Sequence, residues 1–307
     1  MTDTAVSVTG LTKRYGARIV VSDFDLDLPA GVVAGFVGPN GAGKTTTMAM
    51  LLGLVRPTAG TGTVLGRPIE RPGTYLPEVG ALIENPAFYP ALSGAQNLSV
   101  FATVAGHDPA PIPGLLARVG LGGRSDDRYR SYSLGMKQRL GIAAALLGDP
   151  RLLILDEPAN GLDPQGVREM RTLVGGLAET GRTVLVSSHD LSELEQICDW
   201  LVLIDTGRCL YQGPTRDLLG GVAGGLAVVP ERHQDLPVLR RLLADRGHDV
   251  APDDGRLVVA VDGAPVGDVA AAVNRTAFDA GMVLVELSPL RTTLEEQYLS
   301  MIQGGSR

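Results

Sequence analysis

Lys44 and Thr45 close the run Gly38-Pro39-Asn40-Gly41-Ala42-Gly43-Lys44-Thr45, which fits the pattern G-x-x-x-x-G-K-[ST]. Glycines at this spacing let the main chain curl until successive N–H groups converge on a phosphate, and a helix starting beyond them adds positive partial charge. The Lys44 ammonium can reach the β and γ phosphates of a nucleotide, the Thr45 hydroxyl can ligate Mg²⁺, and Thr46 is placed to donate to the α phosphate. A second constellation, Leu152-Leu153-Ile154-Leu155-Asp156-Glu157, is four apolar residues ending in two acids. At a strand end one such carboxylate can hold Mg²⁺ while the next orients or deprotonates water. Asp156 takes the metal-side place and Glu157 that of the base. Together the two constellations predict hydrolysis of ATP to ADP and phosphate.

The elements that must hold these residues are legible in outline. Apolar runs at Val32 to Val37, Leu152 to Leu155 and Thr183 to Ser187 predict buried strands, each followed by a polar or glycine-containing turn. In parallel α/β sheets, sites gather at the carboxyl ends of such strands. The first precedes the phosphate loop, and a helix through Met48 to Leu52 follows it. Residues 85–149 hold few strand-like runs and predict an inserted helical subdomain, with Pro109, Pro111 and Pro113 marking a loop between helices. Glycines at Gly220, Gly221, Gly224 and Gly225 mark a joint, so the boundary is placed at about residue 222. Beyond it, 226–229, 236–246, 256–261, 266–280 and 282–287 predict strand, helix, strand, helix, strand, a small α+β domain. A last helical stretch, 291–301, makes Leu294, Tyr298, Leu299 and Ile302 available to pack back on the body.

Composition narrows the class. The chain has 307 residues, enough for one large or two unequal domains, with 44% hydrophobic and 20% charged residues in the globular range. Its formal net charge of −7 argues against nonspecific nucleic-acid binding. Cys198 and Cys209 form no CxxC pair, and His107, His189, His233 and His248 have no metal-ligand spacing, so a reducing compartment without structural zinc is expected. The polar N-terminus lacks a signal-peptide pattern, and every apolar run falls short of the roughly 18 to 20 residues that span a bilayer. Action at a membrane would require another chain to cross it.

The phosphate loop, Tyr132-Ser133-Leu134-Gly135-Met136-Lys137-Gln138-Arg139, the Asp156-Glu157 strand end, Gly161-Leu162-Asp163 and Ser188-His189 stand in this order. The set resembles the ATP-binding subunit of an ABC transporter over about residues 5–219. The resemblance implies an α/β fold, a P-loop ABC ATPase core over 1–222 that contains the helical subdomain at about 85–149; 223–307, beyond the glycine joint, is expected to be a small accessory α+β C-terminal domain. It implies ATP and Mg²⁺ as cofactors and a membrane subunit of the transporter as partner. It further implies a head-to-tail homodimer at the cytoplasmic face of the cell membrane, in which each ATP lies between the phosphate loop of one copy and the signature segment of the other.

Carried over by the same resemblance, Tyr15 stacks on adenine, and Gly38, Asn40, Gly41, Gly43, Lys44, Thr45 and Thr46 hold the phosphates. Ser133 and Gly135 contact the partner's γ-phosphate, Asp163 couples the two sites, and His189 touches the γ-phosphate. The signature departs from the common Leu-Ser-Gly-Gly-Gln: Tyr132 replaces Leu, Leu134 the first Gly, and Met136 the Gln. Where the family has a metal-ligating glutamine, Val79 to Pro86 offers Glu84, because Gln96 lies too far along. Glu84 followed by Asn-Pro-Ala-Phe-Tyr resembles the subgroup that exports bacitracin and lantibiotics in self-protection, which implies export of a peptide antibiotic, drug or lipid-like substrate. An alternative class, soluble ABC-type ATPases acting on ribosomes or DNA, normally carries two cassettes or a long coiled coil. This chain has one phosphate loop and no sustained heptads. A degraded, non-hydrolysing scaffold is a third class, against which Lys44, Asp156, Glu157 and His189 are all present.

Overall fold

The computed structural model describes residues 4–83, 87–178, 181–219, 225–261, 264–290 and 294–304. The chain divides into two compact units, 1–215 and 216–307. The glycines at 220, 221 and 224, where the sequence suggests the joint, lie outside the described residues.

In the first unit, β1 (Thr4–Tyr15) and β2 (Arg18–Pro29) form a long antiparallel hairpin. With β4 (Ala59–Val64) and β5 (Arg67–Pro68) they make a four-stranded sheet in the order β2-β1-β4-β5. Nothing in the apolar runs separates these strands from the parallel ones, and this sheet is an addition to the expected architecture. The second sheet is built on β3 (Val33–Val37), β6 (Val79–Leu82), β7 (Leu152–Leu155), β8 (Thr183–Ser188), β9 (Trp200–Asp205) and β10 (Arg208–Pro214), in the order β10-β9-β3-β8-β7-β6. All its pairs are parallel except the β9–β10 hairpin. β3, β7 and β8 are buried along their whole length, as their unbroken apolar character requires of strands covered on both faces.

Between the two sheets lies the main core, where Phe24 and Phe36 meet with ring centroids 5.8 Å apart among Leu11, Leu26, Met48 and Ile204. α1 (Lys44–Leu51) follows β3 directly. The expected helical segment holds α2 (Gly94–Ala105), α3 (Ile112–Arg118) and α4 (Leu134–Ala145). Ser93 and Gln96 form a reciprocal capping box at the start of α2, which satisfies two otherwise orphaned backbone donors. Pro113 is not in a loop as the sequence suggests. It sits in the first turn of α3, where its missing N–H would have had no intrahelical partner. α5 (Pro164–Ala178) and α6 (Leu191–Glu195) flank β8, and α7 (Thr215–Leu219) follows β10.

The second unit runs β11 (Gly225–Pro230), α8 (Leu236–Asp245), β12 (Val250–Asp253), β13 (Arg256–Val259), α9 (Val266–Asp279) and β14 (Leu284–Leu290), and its sheet order is β12-β13-β11-β14, all antiparallel. β12 is an addition to the strands read from the sequence. Its residues Ala251, Pro252 and Asp253 are exposed and polar or small, so no apolar run marks it. Leu226, Val228, Leu239, Leu257, Val259 and Val273 form this unit's core. α10 (Leu294–Gly304) is the last element among the described residues, with Leu294 buried and Leu299 exposed.

Candidate functional site

β3 delivers the chain into the phosphate loop under tight steric control. A Cβ on Gly38 would lie 2.2 Å from the carbonyl oxygen of Ile204 on β9, so only glycine lets the loop leave the sheet there. Gly43, with φ +107°, caps α1 in a left-handed conformation that an L side chain rarely adopts. Asn40 and Gly41 are exposed at the outer turn, and Thr46 is half-buried in the first turn of α1. Lys44 is only 5% exposed, and its ammonium donates to the Gly38 carbonyl at 2.6 Å. The side chain therefore folds back across the loop.

From the neighbouring strand ends come the acids. β7 runs parallel to β8 with Leu155 opposite Val186, so the next residues, Asp156 and Ser187, emerge side by side. The buried Asp156 carboxylate accepts from the Thr45 hydroxyl at 2.6 Å through Oδ2 and from the Ser187 hydroxyl at 2.5 Å through Oδ1. Glu157 takes a left-handed backbone, φ +45°, and its N–H donates to Ser187 Oγ at 2.9 Å. Its carboxylate lies 3.4 Å from Lys44 Nζ on one side and 3.3 Å from His189 Nδ1 on the other. His189 is half exposed, so one face of the imidazole is open to solvent or to a ligand.

Lys44, Thr45, Asp156, Glu157 and His189 thus meet at the carboxyl ends of β3, β7 and β8. Ser187 joins them although the sequence did not single it out. The signal that could have found it is a hydroxyl directly after the apolar run Val184 to Val186, two residues before His189. Beside this cluster, Val167, Met170, Val186, Leu194 and Ile197 form much of the wall of a 220 Å³ cavity that Glu157 and His189 also line.

Ser133, Gly135 and Asp163 gather elsewhere, around a 510 Å³ recess that no residue of the phosphate loop lines. Ser133 caps α4, accepting from the Met136 N–H at 3.3 Å, and Asp163 caps the first turn of α5 through the Gly166 N–H at 2.8 Å. Tyr132, where the family has leucine, is buried and donates its hydroxyl to the Arg124 carbonyl at 2.7 Å, and burial pushes its phenol above its ordinary value. Leu134 keeps an exposed side chain within 3.1 Å of where a Cβ on Gly161 would stand. Tyr15 is 51% exposed at the tip of the β1–β2 hairpin, with the Lys13 ammonium 4.9 Å from its ring centroid. Glu84 lies outside the described residues.

The main cluster sets two carboxylates, a hydroxyl, a buried ammonium and an imidazole beside a glycine-lined loop. Such an arrangement can bind phosphates, hold a hard cation through oxygen, and take a proton from water. Among the described residues no group of three or more His, Cys, Asp or Glu is arranged to hold a metal by itself, and no helix is long and apolar enough to cross a membrane.

A family model described as ABC transporter matches residues 21–160. Over 305 residues the chain is 36% identical to the bacitracin transport ATP-binding protein BcrA of Enterococcus faecalis, covering 98% of this chain and 97% of that one. It is 41% identical over 207 residues to the lantibiotic transport ATP-binding protein SrtF of Streptococcus pyogenes, covering 67% of this chain and 90% of that one. Among solved structures, cbiO1 from Clostridium perfringens, described as part of the ABC transporter complex cbiONQ, superposes with a TM-score of 0.65 at 25% identity, over 79% of this chain and 95% of that one. The chain belongs to the ATP-binding subunits of ABC transporters and is an ATP hydrolase of that family.

Proposed function

We propose that this subunit powers the export of a peptide antibiotic, drug or lipid-like substrate through a separate membrane subunit, using MgATP hydrolysed at the Lys44–Asp156–Glu157 cluster. ATP-binding subunits of this family work with membrane subunits. Likeness along nearly the whole chain to a protein named for bacitracin transport supports a peptide antibiotic as cargo.

The observation that carries the hydrolytic reading is the placing of Thr45 and His189 on opposite sides of the adjacent acids: Thr45 bonds Asp156, and His189 approaches Glu157. The donor set fits magnesium, which takes one or two protein oxygens and fills its remaining positions with phosphate and water. Thr45 and Asp156 would hold the ion, with Glu84 as a third ligand. When bound, it neutralises charge on the phosphates. Lys44 and the N–H groups of the loop bind and orient the β and γ phosphates, and Tyr15 stacks on the base. Glu157 accepts a proton from the attacking water at a carboxylate oxygen, and His189 holds that carboxylate in place while facing the γ-phosphate.

The separation of Ser133 and Gly135 from the phosphate loop supports a head-to-tail homodimer, in which α4 of one copy presents its N-terminus to the nucleotide of the other. The pair sits at the cytoplasmic face of the membrane and has no nucleic-acid partner. Glu84, at the place of the family's glutamine, meets the membrane subunit, and residues 223–307 serve as an accessory domain that regulates or steadies the dimer. Co-expression with a candidate membrane subunit tests this reading. The complex is expected to purify together and to raise bacitracin tolerance, with loss of both ATP turnover and tolerance in Glu157→Gln. Co-sedimentation with ribosomes and no membrane association would overturn it.

A further inference from the structure

Ser187 is wholly buried, yet its hydroxyl serves both acids of the site. The O–H donates to Asp156 Oδ1 at 2.5 Å, and the same oxygen accepts the Glu157 N–H at 2.9 Å. A serine hydroxyl has a single proton, so giving it to Asp156 leaves the lone pairs free for Glu157, and both bonds form only in this sense. The bond to Asp156 is charge-assisted, which shortens and strengthens it.

The position is set by the sheet. Leu155 pairs with Val186 across β7 and β8, while Ser187 pairs with Phe36 on the other side, so the hydroxyl is fixed between two rigid strands. Glu157 needs that anchor. Its φ of +45° is a conformation in which a side-chain-bearing residue is held only when its surroundings over-determine it. The Glu157 N–H bond to Ser187 lies at this left-handed turn, and the turn sends the carboxylate towards Lys44 and His189.

We propose that Ser187 is a positioning residue for hydrolysis: it locks the metal-side acid Asp156 and the base Glu157 in register by bonding the side chain of one and the backbone of the other. The inference rests on the role given above to Glu157. In Ser187→Ala, Asp156 keeps its bond to Thr45, so MgATP affinity is retained within about threefold, whereas turnover drops by about 10- to 100-fold, the loss that goes with one hydrogen bond to a charged group. Ser187→Thr keeps the hydroxyl at a position that borders the 220 Å³ cavity, so turnover is expected to stay within about fivefold of the parent.

The test measures phosphate release, MgATP affinity by calorimetry and the thermal midpoint for Ser187→Ala, Ser187→Thr, Glu157→Gln and the double variant Ser187→Ala/Glu157→Gln. If Ser187 acts through Glu157, the double variant turns over no more slowly than Glu157→Gln alone. Multiplying losses in the double variant, or parent-like turnover in Ser187→Ala, would overturn the proposal. So would equal loss of turnover and affinity in Ser187→Ala, or failure of Ser187→Thr to hold turnover while its thermal midpoint stays at the parent value. Should Ser187→Ala not fold, turnover by Ser187→Thr decides alone. Parent-like turnover in Glu157→Gln would instead remove the role of Glu157 itself, an outcome separate from the others.

Discussion

The ammonium of Lys44 stands 3.4 Å from Oε1 of Glu157, joining the buried cation of the phosphate loop to the acid that follows Asp156. The ammonium also donates to the Gly38 carbonyl at 2.6 Å, so one proton-rich group ties the loop to the strand end of β7.

Glu157→Gln preserves the shape of the site and removes the base. MgATP is expected to bind still, while turnover falls roughly 10² to 10⁴-fold, the share of a general acid–base group. Steady-state phosphate release beside calorimetry reads both quantities. Parent-like turnover would transfer the base role to another group.

Lys44→Ala removes the buried donor and leaves Glu157 without its cation. MgATP affinity is expected to drop about 10- to 100-fold, as for loss of one or two hydrogen bonds to a charged ligand. Lys44→Arg is expected not to rescue it, because a planar fork cannot occupy the space of a compact ammonium under Gly38. Calorimetry with MgATP decides, and unchanged affinity in Lys44→Ala would give the loop another task.

Glu84→Gln separates chemistry from coupling. The amide oxygen can occupy the coordination site that a carboxylate fills, so ATP turnover is expected to stay within about threefold while export falls further. Both rates are measured on one reconstituted complex. Equal losses would confine Glu84 to hydrolysis, and no loss in either would show that another residue fills the family's glutamine position.

The thiol of Cys209 supplies a pH test. Burial foremost, with the nearby charge of Asp25, pushes it from its ordinary 9.0 up to about 11. The unfolded thiol therefore loses its proton first as pH rises. The contribution to stability is level below about pH 9 and declines between 9 and 11. Cys198, more deeply buried, is raised in the same direction. Urea unfolding of the parent and of Cys209→Ser between pH 8 and 11 is expected to show a shallower alkaline decline in the variant. Identical slopes would contradict the assignment.

The phosphate loop and the acid pair were legible because each is local: a strand, a turn and the residues that follow it lie within one short stretch. β7 announces itself by four consecutive apolar residues, and the acids follow without a break. Other features resisted for physical reasons. The β1–β2 hairpin alternates buried and exposed residues on one side of a sandwich, so it carries no unbroken apolar run to set it apart. β12 is a short, exposed edge strand holding Pro252, and nothing in its composition marks it. Pro113 read as a loop residue because proline breaks helix interiors, although a first helical turn tolerates it.

The sequence by itself singled out Lys44, Thr45, Asp156 and Glu157 by residue type and immediate neighbours, and His189 through the resemblance of the surrounding motifs to a family. Only the tertiary structure decided how they meet. The parallel register of β7 with β8 sets Ser187 beside Asp156, and that of β8 with β3 brings Ser188 level with Val37 at the mouth of the phosphate loop. The same structure left Ser133 and Gly135 around a separate recess with Asp163. The reason is range: a motif is fixed by torsions and steric needs along a few residues. A hydroxyl shared by two acids depends on strand pairings between segments far apart in the chain, which no local pattern encodes.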